Sequence, residues 1–537
     1  MNFRFSFQEI FYQYQLKQRL THTLGLRPHK IKAVPFKTFA YVCFSCEEDR
    51  EAALKAVNGH VWKGRELTAK KAQAAADPLK RKLESLKDET ALENKKKRTD
   101  DNHFSDLPSA LRLKSSVTPL WETPYSNQLE MKTETAKEVL KAVATHPDVR
   151  GSFVQARMLY NGLCSPLLPI VPSPVFQEYR NKSEFSIGRS EDGKETIVGF
   201  RFGLYKDGTD CVGSPSEILI LPSSSKMVAQ CFQEFLGSST YPVFDHRTHE
   251  GHWRQLTVRT TRERGGIMGV AEFVVQNTTA EDREKVKEDI KNYFTEGPGK
   301  MSGVSTFYFR PCSIKTSNST SEEPYELIYG DGFIYESLLE MKFRISPSSF
   351  FQVNTAAAEV MYKLIQEWTG ATQTSTVLDI CCGTGTIGLS LAKSVAKVIG
   401  IEMCKEAVED AKSNAALNGV TNCEYYCAKV QDCIQDIVHN LDTSDVVAIL
   451  DPPRAGIHQV VIKALRMCQQ LKRIVYASCH PMIAKTNFID LLRPASRKTK
   501  GVPFKFIKAQ PIDMFPCTKH MELLMLLERD SDEVPSI

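Results

Sequence analysis

The last two hundred residues constrain the chain most, because strands and helices alternate there in the βαβ manner that builds a parallel sheet. Val377-Leu-Asp379-Ile-Cys381 reads as a short buried strand, and Cys382-Gly383-Thr384-Gly385-Thr386-Ile387-Gly388 opens the helix LSLAKSV. Strand KVIGIE, ending at Glu402, and helix KEAVEDAKSNAALNG come next. They are followed by strand CEYYCAKV, strand VVAIL running into Asp451-Pro452-Pro453-Arg454, and strand RIVYAS ending at Cys479. FKFIKAQPID and MELLMLLER close the set as a strand pair, which makes seven strands.

GTGTIG satisfies the dinucleotide fingerprint G-x-G-x-x-G, and Glu402 lies 23 residues after Asp379, near the place of a ribose ligand. That fingerprint leaves a nicotinamide cofactor and S-adenosylmethionine both open, since each puts a ribose on such an acid. The rest of the edge separates them. Ligands of an open α/β sheet bind outside the carboxyl ends of the strands, and those ends carry the Gly loop, Glu402, Asp451 and Cys479. With an antiparallel last strand, Glu522 faces the same edge. A thiol and a carboxylate beside a nucleoside crevice do not suit hydride transfer; they suit methyl transfer through a covalent adduct. Uracil carbon-5 is a poor nucleophile until a thiolate adds at carbon-6, and a base must then remove the carbon-5 proton before the thiol can leave. Asp451-Pro-Pro-Arg454 argues against exocyclic-amine methylation, where an aromatic usually follows the prolines. Taken singly, Cys479 also reads as a core thiol, Glu522 as a surface carboxylate and Gln352 as an amide at a helix start.

In order along the chain, FRISPSSFFQVNTAAAEVMY, VLDICCGTGTIGLSLA, VIGIE, LDPPRAG, YASCHP and DMFPCTKHMELL resemble the RNA uracil-5-methyltransferase family, densely from Phe343 onward. The resemblance implies an α/β, Rossmann-like, seven-stranded S-adenosylmethionine-dependent methyltransferase domain. It implies that the chain methylates uridine carbon-5 in tRNA, at uridine-54 of the T-loop. Carried over by resemblance, Cys479 would be the nucleophile and Glu522 the proton acceptor. Gln352, Glu402 and Asp451, with Gly383 and Gly385 of the loop, would bind S-adenosylmethionine; Cys381 and Thr386 hold further cofactor positions but differ from the Tyr and Asn of bacterial members. His480 stands where the family commonly has Asn. The cysteine cluster that holds an iron–sulfur centre in some members is absent, which favours the tRNA branch. The enzymatic rival is an RNA cytosine-5-methyltransferase, which usually has a second Cys where Arg454 stands. The rival from another class is an RNA-binding or RNA-folding protein that does not depend on the site.

Residues 1–71 carry a smaller α/β pattern. Lys37-Thr-Phe39-Ala-Tyr41-Val-Cys43-Phe44 resembles the RNA-recognition-motif signature. Period-two alternation sends Phe39, Tyr41 and Cys43 to one face, where two aromatics can stack on unpaired bases. Thr38 replaces the signature glycine, and the first strand is missing or reduced to Asn2–Phe7. A degenerate, truncated module is expected. Residues 72–118 are polar and poor in aromatics, the pattern of a flexible linker. Eight Lys/Arg against four Asp/Glu in residues 80–98 place most of the chain's net +5 there, and Lys95-Lys96-Lys97-Arg98 suits nuclear localisation or RNA contact as well as a plain solvated run. Residues 119–342 read as a central α+β RNA-binding domain, with a helix near 126–146. Tyr179-Arg180-Asn181-Lys182 and Trp253-Arg254, with Arg259, Arg262 and Arg264, mix cations with aromatics as a phosphate backbone and unstacked bases require. From that set Arg180 and Lys182 join Phe39 and Tyr41 as candidate RNA ligands. The methyltransferase domain is expected over 343–537.

Composition sets the remaining bounds. With 42% apolar and 25% charged residues the chain is an ordinary soluble protein, and no window has the apolar length of a membrane span. The amino terminus lacks a signal-peptide core, so the fifteen cysteines read as reduced thiols of the cytosol or nucleus. Cys43-x-x-Cys46 has no second pair, and His246, His249 and His252 make a poor metal site. Neither a metal nor a membrane is expected, and the chain is expected to act as a monomer.

Overall fold

The computed structural model describes residues 2–6, 19–26, 28, 30–33, 39–44, 47–62, 65–71, 108–203, 211–262, 266–313, 321–496 and 499–529. They belong to two units, Met1–Asp106 and Leu107–Ile537. In the first, β1 (Asn2–Ser6), β2 (Lys30–Ala33), β3 (Phe39–Cys43) and β4 (Thr68–Lys71) form an antiparallel sheet in the order β2-β3-β1-β4, with α1 (Glu47–Val57) between β3 and β4. The first strand is therefore present in its reduced form, paired on both sides. Val42 and Phe44 pack with Ala53, Val57 and Leu67, as alternation along β3 requires. The side chains of Phe39 and Tyr41 lie outside the described residues, as does the run Lys95-Lys96-Lys97-Arg98. The expected linker over 72–118 needs correction at its end. Ser109–Val117 is a helix, because Leu113 and Val117 turn one face to the central core.

After the helix Ser109–Val117, the second unit continues with α2 (Tyr125–Ala144). Its central sheet holds β5 (Lys182–Arg189), β6 (Thr196–Arg201), β7 (Trp253–Thr260), β8 (Ile267–Val274) and β9 (Thr306–Ser313) in the order β9-β8-β7-β5-β6. Helices α3 (Ser223–Ser238) and α4 (Ala280–Thr295) contribute to a core rich in Phe. The cation–aromatic reading of β7 is corrected here. Trp253 is buried against Phe232, Phe235 and Phe273. Arg259 is buried and donates to the carbonyls of Pro347 and Ser349, while Arg254 pairs with Glu272 and Arg262 with Glu359. Burial of β7 from Leu256 to Thr260 on both faces is the cause. Arg264 lies outside the described residues.

The chain then forms the hairpin β10 (Ile334–Leu338) and β11 (Met341–Ile345), followed by α5 (Thr355–Thr369), β12 (Thr376–Ile380), α6 (Thr386–Ala392), β13 (Lys397–Glu402), α7 (Lys405–Leu417) and β14 (Cys423–Cys427). It continues with α8 (Val430–His439), β15 (Val446–Leu450), α9 (Gln459–Met467), β16 (Leu471–Ser478), α10 (Pro481–Leu492), β17 (Lys505–Ile512) and β18 (Glu522–Glu528). The sheet has seven strands in the order β14-β13-β12-β15-β16-β18-β17. β18 alone runs opposite to the other six strands. Two apolar layers cover it. One holds α8, α9 and α10 together with α2, through Ala136, Val139, Leu140 and Val143. The other holds α5, α6 and the β10–β11 hairpin, through Ile334, Leu338 and Phe343.

Both expected boundaries of the central domain therefore move. The split between 342 and 343 falls inside β11, whose hairpin packs on the catalytic side. Residues 125–144, assigned to the central domain from sequence, bury their apolar stripe on the seven-stranded sheet. Among the described residues no helix is long and apolar enough to cross a membrane, and no group of three or more His, Cys, Asp or Glu could hold a metal ion. His252 lies within 2.7 Å of the Val274 carbonyl and stacks on Phe273.

Candidate active site

The turn after β12 shapes the site. Gly383 (φ +55°) has open space where a side chain would begin, so the backbone there is free to meet a ligand. Gly385 (φ +77°) starts α6 with the Tyr425 hydroxyl 2.8 Å from any added Cβ. Its glycine is required by packing. Asp379, buried beneath the loop, accepts from the Gly388 N–H at 2.8 Å, and burial pushes its carboxyl up to about 7. At the end of β13, Glu402 is keyed to the backbone: Oε2 accepts from Gly383 N–H at 3.2 Å, and Oε1 from Met403 and Cys404 N–H at 2.8 and 2.9 Å. Each oxygen keeps further acceptor capacity, which suits a ribose diol.

A cavity of about 850 Å³ lies along this edge, lined by Gly383 and Glu402, by Gln352, Asp451, Cys479 and Glu522, and by apolar groups such as Ile401 and Val461. The volume and mixed lining are those of a small-molecule site. Gln352 reaches it from the loop before α5. Asn354 caps that helix through Ala357 N–H at 3.1 Å, and Asn181 of the central domain donates to the Gln352 carbonyl at 2.8 Å. Thus fixed, Gln352 Nε2 donates to Asp451 Oδ2 at 3.3 Å.

Glu522, the first residue of β18, is 2% exposed, which removes the surface-carboxylate reading. Burial, then the neighbouring Asp451, raises its carboxyl well above the usual range, and burial also raises Asp451. Two such carboxylates resist carrying two charges together. Burial, followed by Glu522 and Asp451, pushes the Cys479 thiol up to about 11, with Arg454 acting in the opposite sense. The thiol is therefore protonated at neutral pH until ligands change its surroundings. His480 starts α10 without a side-chain cap bond.

Of the residues singled out in sequence, Cys381 and Arg180 also line the cavity. Gly385 and Thr386 are not part of its lining; Thr386 is buried with its hydroxyl 3.0 Å from the Tyr362 hydroxyl. Lys182 is paired with Glu184 at 2.6 Å. Sequence reasoning missed Asn181 and also Asn487, whose buried amide holds both the N–H and the carbonyl of Ile457, next to the Asp451–Arg454 turn. It also missed Gln128 and Lys132, although a signal existed. At spacings of four residues they continue the apolar stripe of Ala136 and Leu140, so they are polar groups on a face that must be buried.

Six parallel strands, an antiparallel last strand inserted between the two at one end of the sheet, an open glycine turn and a carboxylate at the end of the second strand define an S-adenosylmethionine-dependent methyltransferase. Residues 337–530 match the family model of tRNA (uracil-5-)-methyltransferases. Over 517 residues the chain is 42% identical to tRNA (uracil-5-)-methyltransferase homolog A of Mus musculus, covering 95% of this chain and 81% of that one. It is 40% identical over 433 residues to homolog B of the same species, covering 80% and 87%. The crystal structure of Pyrococcus abyssi tRNA (uracil-54, C5)-methyltransferase in complex with S-adenosyl-L-homocysteine shares the fold, with a TM-score of 0.53 and 24% identity over 75% of this chain and 83% of that one. The chain belongs to the tRNA (uracil-5-)-methyltransferase family.

Proposed function

We propose that the protein methylates carbon-5 of a uridine in tRNA, uridine-54 of the T-loop, through a covalent adduct on Cys479. The observation that carries this reading is that Cys479, Glu522, Asp451 and Gln352 line one cavity with Gly383 and Glu402. S-adenosylmethionine supplies the electrophilic methyl group. Glu402 would accept from its ribose hydroxyls, Gly383 would let the backbone approach, and Gln352 and Asp451 would help to hold it. The thiolate form of Cys479, its proton released to solvent, adds to uracil carbon-6 and makes carbon-5 nucleophilic. Once carbon-5 is methylated, Glu522 takes the carbon-5 proton, the C5–C6 double bond re-forms and the thiolate leaves. A buried carboxylate that binds protons tightly suits this step. Arg180, a cavity-lining cation from the central domain, contacts the RNA backbone, and Phe39 and Tyr41 add stacking. Each chain carries the full catalytic set, which is compatible with the proposed action as a monomer in the cytosol or nucleus.

Mass spectrometry of nucleosides from tRNA incubated with labelled S-adenosylmethionine tests the reaction: label in 5-methyluridine is expected, and label in 5-methylcytidine alone would overturn it. RNA carrying 5-fluorouridine should be trapped on Cys479, because fluorine cannot leave as a proton. A trap on the buried Cys517 instead would reassign the nucleophile.

A further inference from the structure

The segment from Asp513 to Thr518 precedes Glu522 and brings Phe515 and Thr518, then His520, into the cavity. Its backbone is tied down almost group by group, and two of the ties come from the one face of α2. Lys132 Nζ donates to Asp513 Oδ1 at 2.5 Å and to the Phe515 carbonyl at 3.0 Å. Asp513 Oδ1 in turn accepts from Phe515 N–H at 3.1 Å. One turn earlier on α2, Gln128 Oε1 accepts from Cys517 N–H at 2.8 Å, and its amide nitrogen donates to the Leu120 and Thr123 carbonyls. Tyr179 Oη donates to the Pro516 carbonyl at 3.0 Å, and Asn354 Nδ2 to that of Met514 at 3.2 Å.

The ion pair lies with Lys132 and Asp513 side chains 1% and 0% exposed. Replacing a buried pair by apolar groups is often neutral or stabilising, so such a pair is weak evidence of a stabilising role. What this one does is fix direction. Cys517, at φ +64°, is held in the left-handed region that a non-glycine residue rarely adopts, within the stretch that Gln128 and Lys132 bracket. Five residues later the chain must deliver Glu522 to the cavity.

We propose that Gln128 and Lys132 are positioning residues for the proton-abstraction step, acting through the Asp513–Thr518 segment on Glu522. They touch neither substrate nor cofactor. The inference rests on the reading of Cys479 as nucleophile and Glu522 as base. A loosened segment misplaces the base while leaving Cys479, Glu402 and Asp451 on their own elements. Adduct formation and methyl transfer therefore survive, and resolution of the adduct slows.

The test is the double variant Lys132→Met/Asp513→Asn, which removes both charges together, with Gln128→Leu as a second, uncharged perturbation. Single-turnover methyl transfer and the decay of the denaturant-resistant protein–RNA adduct are followed at saturating S-adenosylmethionine and RNA. Both variants should bind S-adenosylhomocysteine like the wild type and transfer the methyl group at a similar rate. Adduct decay should slow by about ten- to a hundredfold, the scale of an ångström-sized misplacement. Decay at the wild-type rate in both variants would overturn the proposal. So would equal loss of methyl transfer and decay, or failure of both variants to fold, since each reduces the ties to a general structural role. If wild-type protein gives no adduct on Cys479 with 5-fluorouridine RNA, it is the underlying reaction that fails.

Discussion

The state of the Cys479 thiol is open to a direct measurement, alkylation by iodoacetamide in the free protein. Burial and two carboxylates push this thiol from an ordinary 9.0 up to about 11. Each unit is a factor of ten in the thiolate share below the midpoint, so at neutral pH the reactive form is about a hundredfold scarcer than in an unperturbed thiol. Restricted access of the reagent slows alkylation as well, but it lowers the plateau without moving the midpoint, and a pH profile separates the two effects. Labelling of the Cys479 peptide, quantified by mass spectrometry from neutrality upward, should therefore rise later than that of a free thiol peptide. Glu522→Gln deletes the second-largest cause and leaves the largest, burial. Its profile should shift toward lower pH, though not all the way to the free peptide. A wild-type midpoint at or below the free peptide would refute the account of the site as a place that suppresses its own nucleophile. An unshifted Glu522→Gln profile would refute the part assigned to the carboxylate.

Glu402→Ala should weaken S-adenosylmethionine binding by about 1.5–3 kcal/mol, the worth of hydrogen bonds to a charged acceptor, and calorimetry should find RNA affinity unchanged. Asp379 is held up to about 7 from 3.8, so its folded form binds the proton more tightly. Its contribution to folding is full below the unfolded value and is lost as pH rises through about 7, a span of about 4 kcal/mol. Asp379→Asn should flatten that fall, seen as a smaller loss of melting temperature between mildly acidic and mildly alkaline buffer; a slope equal to that of the wild type would contradict the burial argument. Removing residues 1–106 should leave single-turnover methylation intact at saturating RNA and raise the RNA concentration needed, by at most about a hundredfold for each base stacked at about 1–3 kcal/mol. Complete loss of chemistry would refute an accessory role.

The sheet was legible because its signals are local: most of its strands are short apolar runs, and the chemistry-bearing residues stand at or just beyond strand ends or, for Glu522, at a strand start. The same locality explains the errors. The stripe over 126–146 announced a buried helix, but periodicity does not say which sheet buries it. Trp253 and Arg259 have the composition of an RNA-binding face, and the same composition serves a packed strand whose arginine feeds two loop carbonyls. Gly385 and Thr386 share a motif with Gly383, yet only Gly383 opens onto the cavity. Lys132 could have been found by asking why an ammonium sits on an apolar stripe. Its partner was out of reach of any local pattern.

That partner is 381 residues away, which bears on how the protein is made. A ribosome emits the amino end first, at roughly 5–20 residues per second, so α2 waits about 20–80 s between its own emergence and that of Asp513. During that time its stripe of Ala136, Val139, Leu140 and Val143 has no finished sheet to cover, and the Lys132 ammonium has no counter-charge. A nascent chain stopped short of Asp513 thus leaves both the α2 stripe and the Lys132 ammonium without their partners.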